Sequence, residues 1–175
     1  MRCALAAVLG ALVVAVLAPS PSTADPGGSR APSTRSAAVG WVAPLPGALT
    51  VTRGFDPPAH AYGPGHRGAD LAGPLGSPVL AAGDGVVVFA GTVAGRPVVS
   101  IDHAGGLRTT YEPVDPAVAA GQRVAGGSPI GALLPGHAGC PADACLHWGL
   151  RRGEGYLDPL RLLAVRVRLL PLRDA

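Results

Sequence analysis

Lysine is absent from this 175-residue sequence, so all fourteen basic residues are arginine. This bias is typical of a GC-rich genome, and we attach no mechanistic meaning to it. Charged residues of both signs make up only 14% of the chain, and the formal net charge is +3. Such a mild charge argues against a nucleic-acid-binding protein, which would present a dense basic patch.

Clear amphipathic helices, internal repeats and a Gly-x-Ser-x-Gly nucleophile elbow are also missing, and the last absence argues against a serine hydrolase. The chain contains 26 glycines and 19 prolines, a share that approaches the composition of disordered chains. Because 48% of the residues are hydrophobic and fall in short runs, we predict turn-rich β structure instead. The length suggests one domain that is large enough to bury a core.

The N-terminus has the layout of a secretory signal peptide. Arg2 precedes an apolar run of sixteen residues, Cys3–Ala18, and the small residues that follow predict cleavage after Ala24. A membrane anchor is the alternative, but the run is short for a hydrocarbon core of ~30 Å. We therefore predict a signal peptide over residues 1–24, secretion, no stable membrane insertion after cleavage, and a flexible polar linker over residues 25–40.

Cysteine is scarce, and loss of the signal peptide would leave only Cys140 and Cys145. An even count in an exported protein predicts a disulfide. The loop that it would close is small, so its contribution to stability would be roughly 2 kcal/mol. A nucleophilic or metal-binding Cys145 is the alternative, and a cysteine hydrolase would need that residue as a free thiol.

Short runs rich in valine or threonine, each bounded by glycine, proline or aspartate, predict an all-β domain. The runs of this kind are Val79–Ala82, Gly85–Ala90, Arg96–Asp102 and Leu107–Tyr111. Further strand candidates are Gln122–Val124, Pro129–Leu133 and Ala144–Arg151. A turn over residues 102–106 would join two of them in a hairpin. Pro159 could occupy the first position of one short helical turn.

Two segments carry candidate metal ligands. His66 and Asp70 lie four residues apart in a glycine-rich stretch that reads as a loop, and Gly68 would let the backbone bend so that both reach one cation. His147 lies in an apolar strand, on the face shared with Cys145. Either signal alone is weak, because an exposed loop histidine or a satisfied core histidine is common. Together they would supply three ligands and leave an open position, as in catalytic zinc sites.

The order of these motifs resembles that of the lysostaphin-type (LytM-domain) zinc metallopeptidases, which cut peptidoglycan cross-links. Five segments match the family's phrases in the same order: GHRGAD at 65–70, GSPVLAAGDGV at 76–86, VVSIDHAGGLRTTY at 98–111, VAAGQRVAGGSPIG at 118–131, and LHWGL at 146–150 followed by YLDP at 156–159. The resemblance covers residues 41–163, which we take as the domain, and leaves residues 164–175 as a C-terminal tail.

The resemblance implies an all-β fold in which a twisted antiparallel sheet (duplicated hybrid motif-like, LytM-like) carries long groove-forming loops. It also implies that Zn²⁺ is bound by His66, Asp70 and His147. The expected substrates are peptidoglycan peptides, and the expected location is extracellular and associated with the cell wall.

Two departures from the family pattern bear on activity. The family's late His-x-His element ends in the zinc ligand and begins with a catalytic helper histidine, whose position Cys145 occupies here. Its Tyr-x-His element ends in a second helper, and Pro113 stands there. Because groups of this kind contribute ~10²–10⁴-fold each, a protein without substitutes for them would be a very slow peptidase.

His137 is the candidate replacement, because a Cys140–Cys145 disulfide would hold its loop close to the strand that bears His147. An exposed loop histidine is the alternative reading, and Glu112 is a weaker candidate base. We expect His60 and His103 to be ordinary turn residues. Arg151 and its neighbour Arg152 could contact substrate carboxylates, although a solvated strand end is the simpler interpretation.

Three functions follow from the sequence. The first is a zinc endopeptidase with altered acid and base residues. The second is a catalytically weak or inactive relative that binds the cell wall or regulates another wall hydrolase through the same groove. The third is a cysteine hydrolase built on Cys145. We favour the first, because a pure binding module gives no obvious reason to keep three metal ligands.

Overall fold

A computed structural model of the chain describes residues 40–60 and 63–164. These residues form strands Thr50–Arg53 (β1), Gly68–Gly73 (β2), Pro78–Leu80 (β3), Gly85–Val93 (β4), Arg96–His103 (β5), Leu107–Glu112 (β6), Val114–Pro116 (β7), Arg123–Val124 (β8), Pro129–Leu133 (β9), Ala144–Arg152 (β10) and Gly155–Leu157 (β11). Two 3₁₀ turns, Ala104–Gly106 and Pro159–Leu162, are the helical segments of this part of the chain. The all-β prediction is confirmed.

The strands form two antiparallel sheets. The larger has the order β1-β2-β10-β6-β5-β4-β8, and β11 pairs with the end of β10. The smaller has the order β3-β9-β7. Strand β10 therefore lies in the interior of the large sheet, hydrogen-bonded to β2 on one side and to β6 on the other.

A single hydrophobic cluster joins the two sheets, with Leu146 and Trp148 of β10 packed together with residues of β3, β7 and β9. Because side chains alternate along a strand, His147 lies on the opposite face of β10 from these two residues. Tyr111 is fully buried in the core. Its hydroxyl accepts hydrogen bonds from the Ala82 amide and the Thr109 hydroxyl at 2.8 and 2.9 Å. Burial raises the pKa of Tyr111 to about 12.

The strand predictions agree with the structure for Pro129–Leu133 and differ by up to three residues at the ends of β4, β5, β6 and β10. The predicted short turn is present, with Pro159 in its first position and the Asp158 carboxylate accepting the Leu160 amide at 3.0 Å. The predicted signal peptide at residues 1–24 and nearly all of the predicted linker and tail lie outside the described residues. Within the described ranges, no helix is long and apolar enough to span a membrane.

Two expectations were wrong. Asp70 is not in a loop, because β2 begins at Gly68 and pairs along its whole length with β10. His103 is not an ordinary turn residue, since it is the last residue of β5 and is only 8% exposed. Its Nδ1 lies 2.9 Å from the Asp84 carbonyl oxygen, and its Nε2 lies 2.7 Å from the Thr109 hydroxyl. Desolvation lowers the pKa of His103, which favours the neutral ring.

Candidate metal centre and adjoining groove

The pairing of β2 with β10 brings two of the candidate ligands together. Asp70 and His147 are direct cross-strand partners, so their side chains leave the sheet side by side on the face opposite the core. The site depends on Gly68, because a Cβ there would lie 2.5 Å from the Trp148 carbonyl oxygen and 2.8 Å from the His147 ring. The His147 imidazole occupies the space that a side chain at position 68 would fill.

The segment before β2 supplies His66. Its backbone pairs with Asp56 through two hydrogen bonds, of 2.6 and 3.0 Å, which fixes the entry into the strand. The His66 Nδ1 lies 2.7 Å from the carbonyl oxygen of Gly54. Because a carbonyl oxygen can only accept, Nδ1 carries the proton and Nε2 presents its lone pair in the neutral ring. Carbonyl partners of this kind typically orient histidines that bind metals.

Three side-chain atoms from these elements converge. The Asp70 Oδ1 lies 2.9 Å from His66 Nε2 and 2.8 Å from His147 Nδ1, and the two histidine nitrogens are 3.1 Å apart. His66 and Asp70 are buried, and the His147 side chain is 20% exposed. Burial lowers the pKa of His147, and the hydrogen bond and charge of Asp70 oppose this effect only in part. Two imidazoles and a carboxylate that point at one another have the donor chemistry that suits zinc.

His137 reaches the same cluster from the loop between β9 and β10. Its ring stacks on the His147 ring with centroids 5.8 Å apart, and its Nε2 lies 3.3 Å from Asp70 Oδ1. The side chain is 16% exposed, and its buried Nδ1 has no hydrogen-bond partner among the described residues. The His137 imidazole is therefore mostly buried, contrary to the alternative interpretation of an exposed histidine, although the residues on either side of it are exposed.

The predicted disulfide between Cys140 and Cys145 is present. Cys145 lies two residues before His147 on the same face of β10, and it is fully buried. The bond ties the loop that carries His137 to the strand that carries His147. It also leaves Cys145 without the free thiol that the cysteine-hydrolase hypothesis requires.

Pro113 occupies the position of the histidine in the family's Tyr-x-His element, and other side chains surround it. Pro113 follows β6 and lines a small cavity together with His137 and Glu112. Glu112 is the cross-strand partner of His147 on the β6 side, but its carboxylate lies 3.0 Å from Arg96 Nε. The His137 imidazole therefore borders the cavity beside Pro113, whereas Glu112 is held by an ion pair.

A groove of about 390 Å³ runs along the exposed face of the sheet away from His147. Its floor contains Gly149 and Thr110, and its walls and far end carry Arg67, Arg96, Arg108, Arg151 and Tyr156. Sequence reasoning missed Arg96 and Tyr156. It raised Arg151 as a contact for substrate carboxylates but favoured a solvated strand end. Alternation along single strands places these residues on one face, but only the strand register shows that they share a groove.

Comparison with known proteins identifies relatives over most of this region. Peptidase family M23 matches residues 64–159, which is more than half of the chain. The uncharacterized protein Rv2891 of Mycobacterium tuberculosis is 54% identical over 139 residues, covering 77% of this chain and 55% of that protein. The DD-carboxypeptidase/endopeptidase Mpg of Neisseria meningitidis is 38% identical over 96 residues, covering 54% of this chain and 22% of that protein. The chain thus spans about half or less of the curated relatives.

A solved structure supports the same conclusion. The zinc-containing peptidase from Vibrio cholerae superimposes with a TM-score of 0.55 and 28% identity, covering 71% of this chain and 39% of that protein. The LytM-like fold expected from the sequence is therefore confirmed over most of the described domain.

Proposed function

Because the chain belongs to peptidase family M23, we propose that it is a secreted zinc metallo-endopeptidase that cleaves peptide bonds of peptidoglycan. The observation that carries this proposal is the convergence of His66, Asp70 and His147, whose ligand atoms all lie within 4.8 Å of one another. The names of two relatives support the substrate class and the metal, since one is a DD-carboxypeptidase/endopeptidase and the other a zinc-containing peptidase.

In this proposal the two histidines and the aspartate hold the zinc ion. When bound, zinc acts as a Lewis acid and lowers the pKa of a coordinated water to ~7. The Gly54 carbonyl keeps the His66 ring in the tautomer whose Nε2 is free to bind. The buried Asp70 carboxylate supplies the negative charge that balances a cation in this poorly solvated place.

His137 is the proposed general acid and base. Its stacking on His147 and its short distance to Asp70 keep the imidazole beside the ligand cluster. An imidazole can accept and return a proton near neutral pH, which is the role of the family's lost helpers. Glu112 is a poorer candidate, because its carboxylate already binds Arg96. The disulfide restrains the His137 loop, so the imidazole is positioned before a substrate arrives.

We also propose that the protein works outside the cytoplasm, in association with the cell wall. The disulfide supports this location, because such bonds persist mainly in oxidising compartments. The apolar N-terminal run of the sequence supports export as well.

A second candidate function is a catalytically weak or inactive module that binds the cell wall or regulates another wall hydrolase. The observation in its favour is the replacement of both helper histidines, by a disulfide-bonded Cys145 and by Pro113. This function would use the same groove for binding without turnover.

Metal content and cell-wall digestion together test the proposal. We expect elemental analysis of the purified protein to find about one zinc per chain, and His147→Ala to abolish it because one of three ligands is lost. His60→Ala is the matched control, since it removes an exposed imidazole outside the cluster. The zinc-loaded protein should release muropeptides from purified peptidoglycan, as detected by mass spectrometry, and His147→Ala should not.

Each outcome distinguishes the two candidates. Zinc binding with muropeptide release supports the endopeptidase. Zinc binding without release, together with sedimentation of the protein with peptidoglycan, favours the binding module. A protein that takes up no zinc when zinc is offered would refute the proposed metal centre.

A further inference from the structure

The groove beside the candidate metal centre has a regular floor. Strand register aligns three rows of side chains across its exposed face: His147 beside Glu112, then Gly149 beside Thr110, then Arg151 beside Arg108. The middle row is shallow because Gly149 has no side chain. An extended peptide that reaches the metal centre could therefore lie over Gly149 and continue toward Arg151.

The far row of the groove carries an excess of positive charge. Arg108 and Arg151 are direct cross-strand partners, an arrangement of like charges that destabilises a sheet. Asp102, on the next strand, neutralises one of them, since its carboxylate binds the Arg108 guanidinium through two nitrogens. This pairing lowers the pKa of Asp102 and raises that of Arg108.

Within the described part of the chain, Arg151 forms no such ion pair, although its charge also helps to lower the pKa of Asp102. Among the described residues it forms no side-chain hydrogen bond or ion pair, although it borders the groove and is only half-buried. Glu154 borders the small space behind it without forming an ion pair with it. Elsewhere in the groove, the one acidic residue, Glu112, is bound by Arg96. An uncommitted guanidinium at the end of a groove can bind a carboxylate in a two-pronged geometry.

The distance between this charge and the metal centre defines the ligand. Arg151 follows His147 by four residues on one strand, which corresponds to roughly 13 Å along the strand. Because the arginine side chain is long and flexible, its guanidinium can lie closer to the metal centre than its Cα does. An extended peptide advances at most ~3.3–3.6 Å per residue, so a carboxylate at Arg151 would lie about two to four residues from the bond at the metal centre.

We propose that Arg151 forms a carboxylate-binding subsite that selects peptides with a free carboxylate about two to four residues from the scissile bond. This inference rests on the proposed function, because it assigns a specificity to the same groove. Arg108 and Asp102 act as positioning residues, since their ion pair keeps Arg108 occupied and leaves Arg151 free for the ligand.

Equilibrium binding tests this subsite without requiring turnover. The probes are a fluorescein-labelled stem tetrapeptide of peptidoglycan with free carboxylates and the same peptide with those groups amidated, with affinities read by fluorescence anisotropy. We expect the wild-type protein to bind the free form about tenfold more tightly, at the lower end of the range for hydrogen bonds to charged groups. The preference should shrink as salt is raised, because the site is open to solvent.

Arg151→Gln should bind the two peptides equally, and Arg151→Glu should bind the amidated form more tightly. The control is Arg161→Gln, which removes an arginine that is 86% exposed and lies away from the groove. Unchanged zinc content and circular dichroism would verify that the variants are folded.

Three results would overturn the subsite: no preference in the wild-type protein, a preference that survives in Arg151→Gln, or no measurable binding of the free form. These failures are separable from failure of the proposed function. A protein that digests free and amidated peptidoglycan equally well is an endopeptidase without this subsite. A protein that shows the Arg151-dependent preference but releases no muropeptides has the subsite without the activity.

Discussion

Gly68→Ala is the substitution whose effect on stability can be estimated most directly from the structure. The new Cβ would lie 2.5 Å from the Trp148 carbonyl oxygen and 2.8 Å from two atoms of the His147 ring, whereas ordinary contacts are about 3.5 Å or longer. The oxygen belongs to the paired strand β10, so it cannot retreat without breaking the β2–β10 ladder. Overpacking of this kind costs ~1–3 kcal/mol, partly offset by about 0.4–1 kcal/mol from the stiffer unfolded chain.

The matched control is Gly149→Ala. Gly149 is the cross-strand partner of Gly68, but a Cβ there would meet nothing closer than 3.6 Å. Urea unfolding of the metal-free proteins should therefore show Gly68→Ala destabilised by about 1–2 kcal/mol relative to wild type. Gly149→Ala should be stabilised by about 0.4–1 kcal/mol, because only the effect on the unfolded chain remains. Because the His147 ring must move in the first variant, we expect zinc affinity to fall about 10–100-fold, as for lost orienting contacts. Equal stability and equal zinc affinity in the two variants would refute the close-packing argument.

Two further predictions concern histidines. His137→Ala should lower the rate of muropeptide release ~10²–10⁴-fold while zinc content stays at the wild-type level. His60→Ala serves as the control for loss of an imidazole. An unchanged rate in His137→Ala would show that His137 takes no part in the mechanism. Burial lowers the pKa of His103, so below pH ~6.5 the unfolded chain binds a proton at this residue more readily than the folded protein does. The contribution of the neutral, buried His103 to the free energy of unfolding is therefore complete above pH ~6.5 and is lost as the pH falls below that value. The free energy of unfolding should therefore decrease more steeply toward pH ~5 in wild type than in His103→Gln, and parallel curves would contradict this assignment.

The strands that the sequence predicted best are those with a local signal. The hairpin of β5 and β6 is rich in β-branched residues, and Pro129–Leu133 is a short apolar run between turn residues, so the extent of each depends on neighbours in sequence. Strand β2 carries no such signal, because GADLAG is small and glycine-rich. It is a strand because β1 and β10 pair with it on both sides, and such non-local pairing is not encoded in local propensity.

The candidate metal site was predicted from motif order, through a family resemblance, rather than from spacing alone. His66 and Asp70 are neighbours in sequence, but His147 is 77 residues beyond Asp70 and meets it through the register of β2 and β10. The disulfide was predicted from the cysteine count and the inferred export. The position of His137 against His147 depends on the path of a loop, which the sequence indicated only through that disulfide.

The amino-acid sequence by itself determined the class of the domain, the candidate ligand types and the cysteine pair, because composition, short-range periodicity and motif order are properties of the chain before it folds. Only the tertiary structure decided that His103 is a buried residue, that Glu112 is bound by Arg96, and that Arg151 lies at the end of the groove. Each of these depends on which strands lie side by side and in which register, since a shift of one residue would turn every one of these side chains to the other face of the sheet.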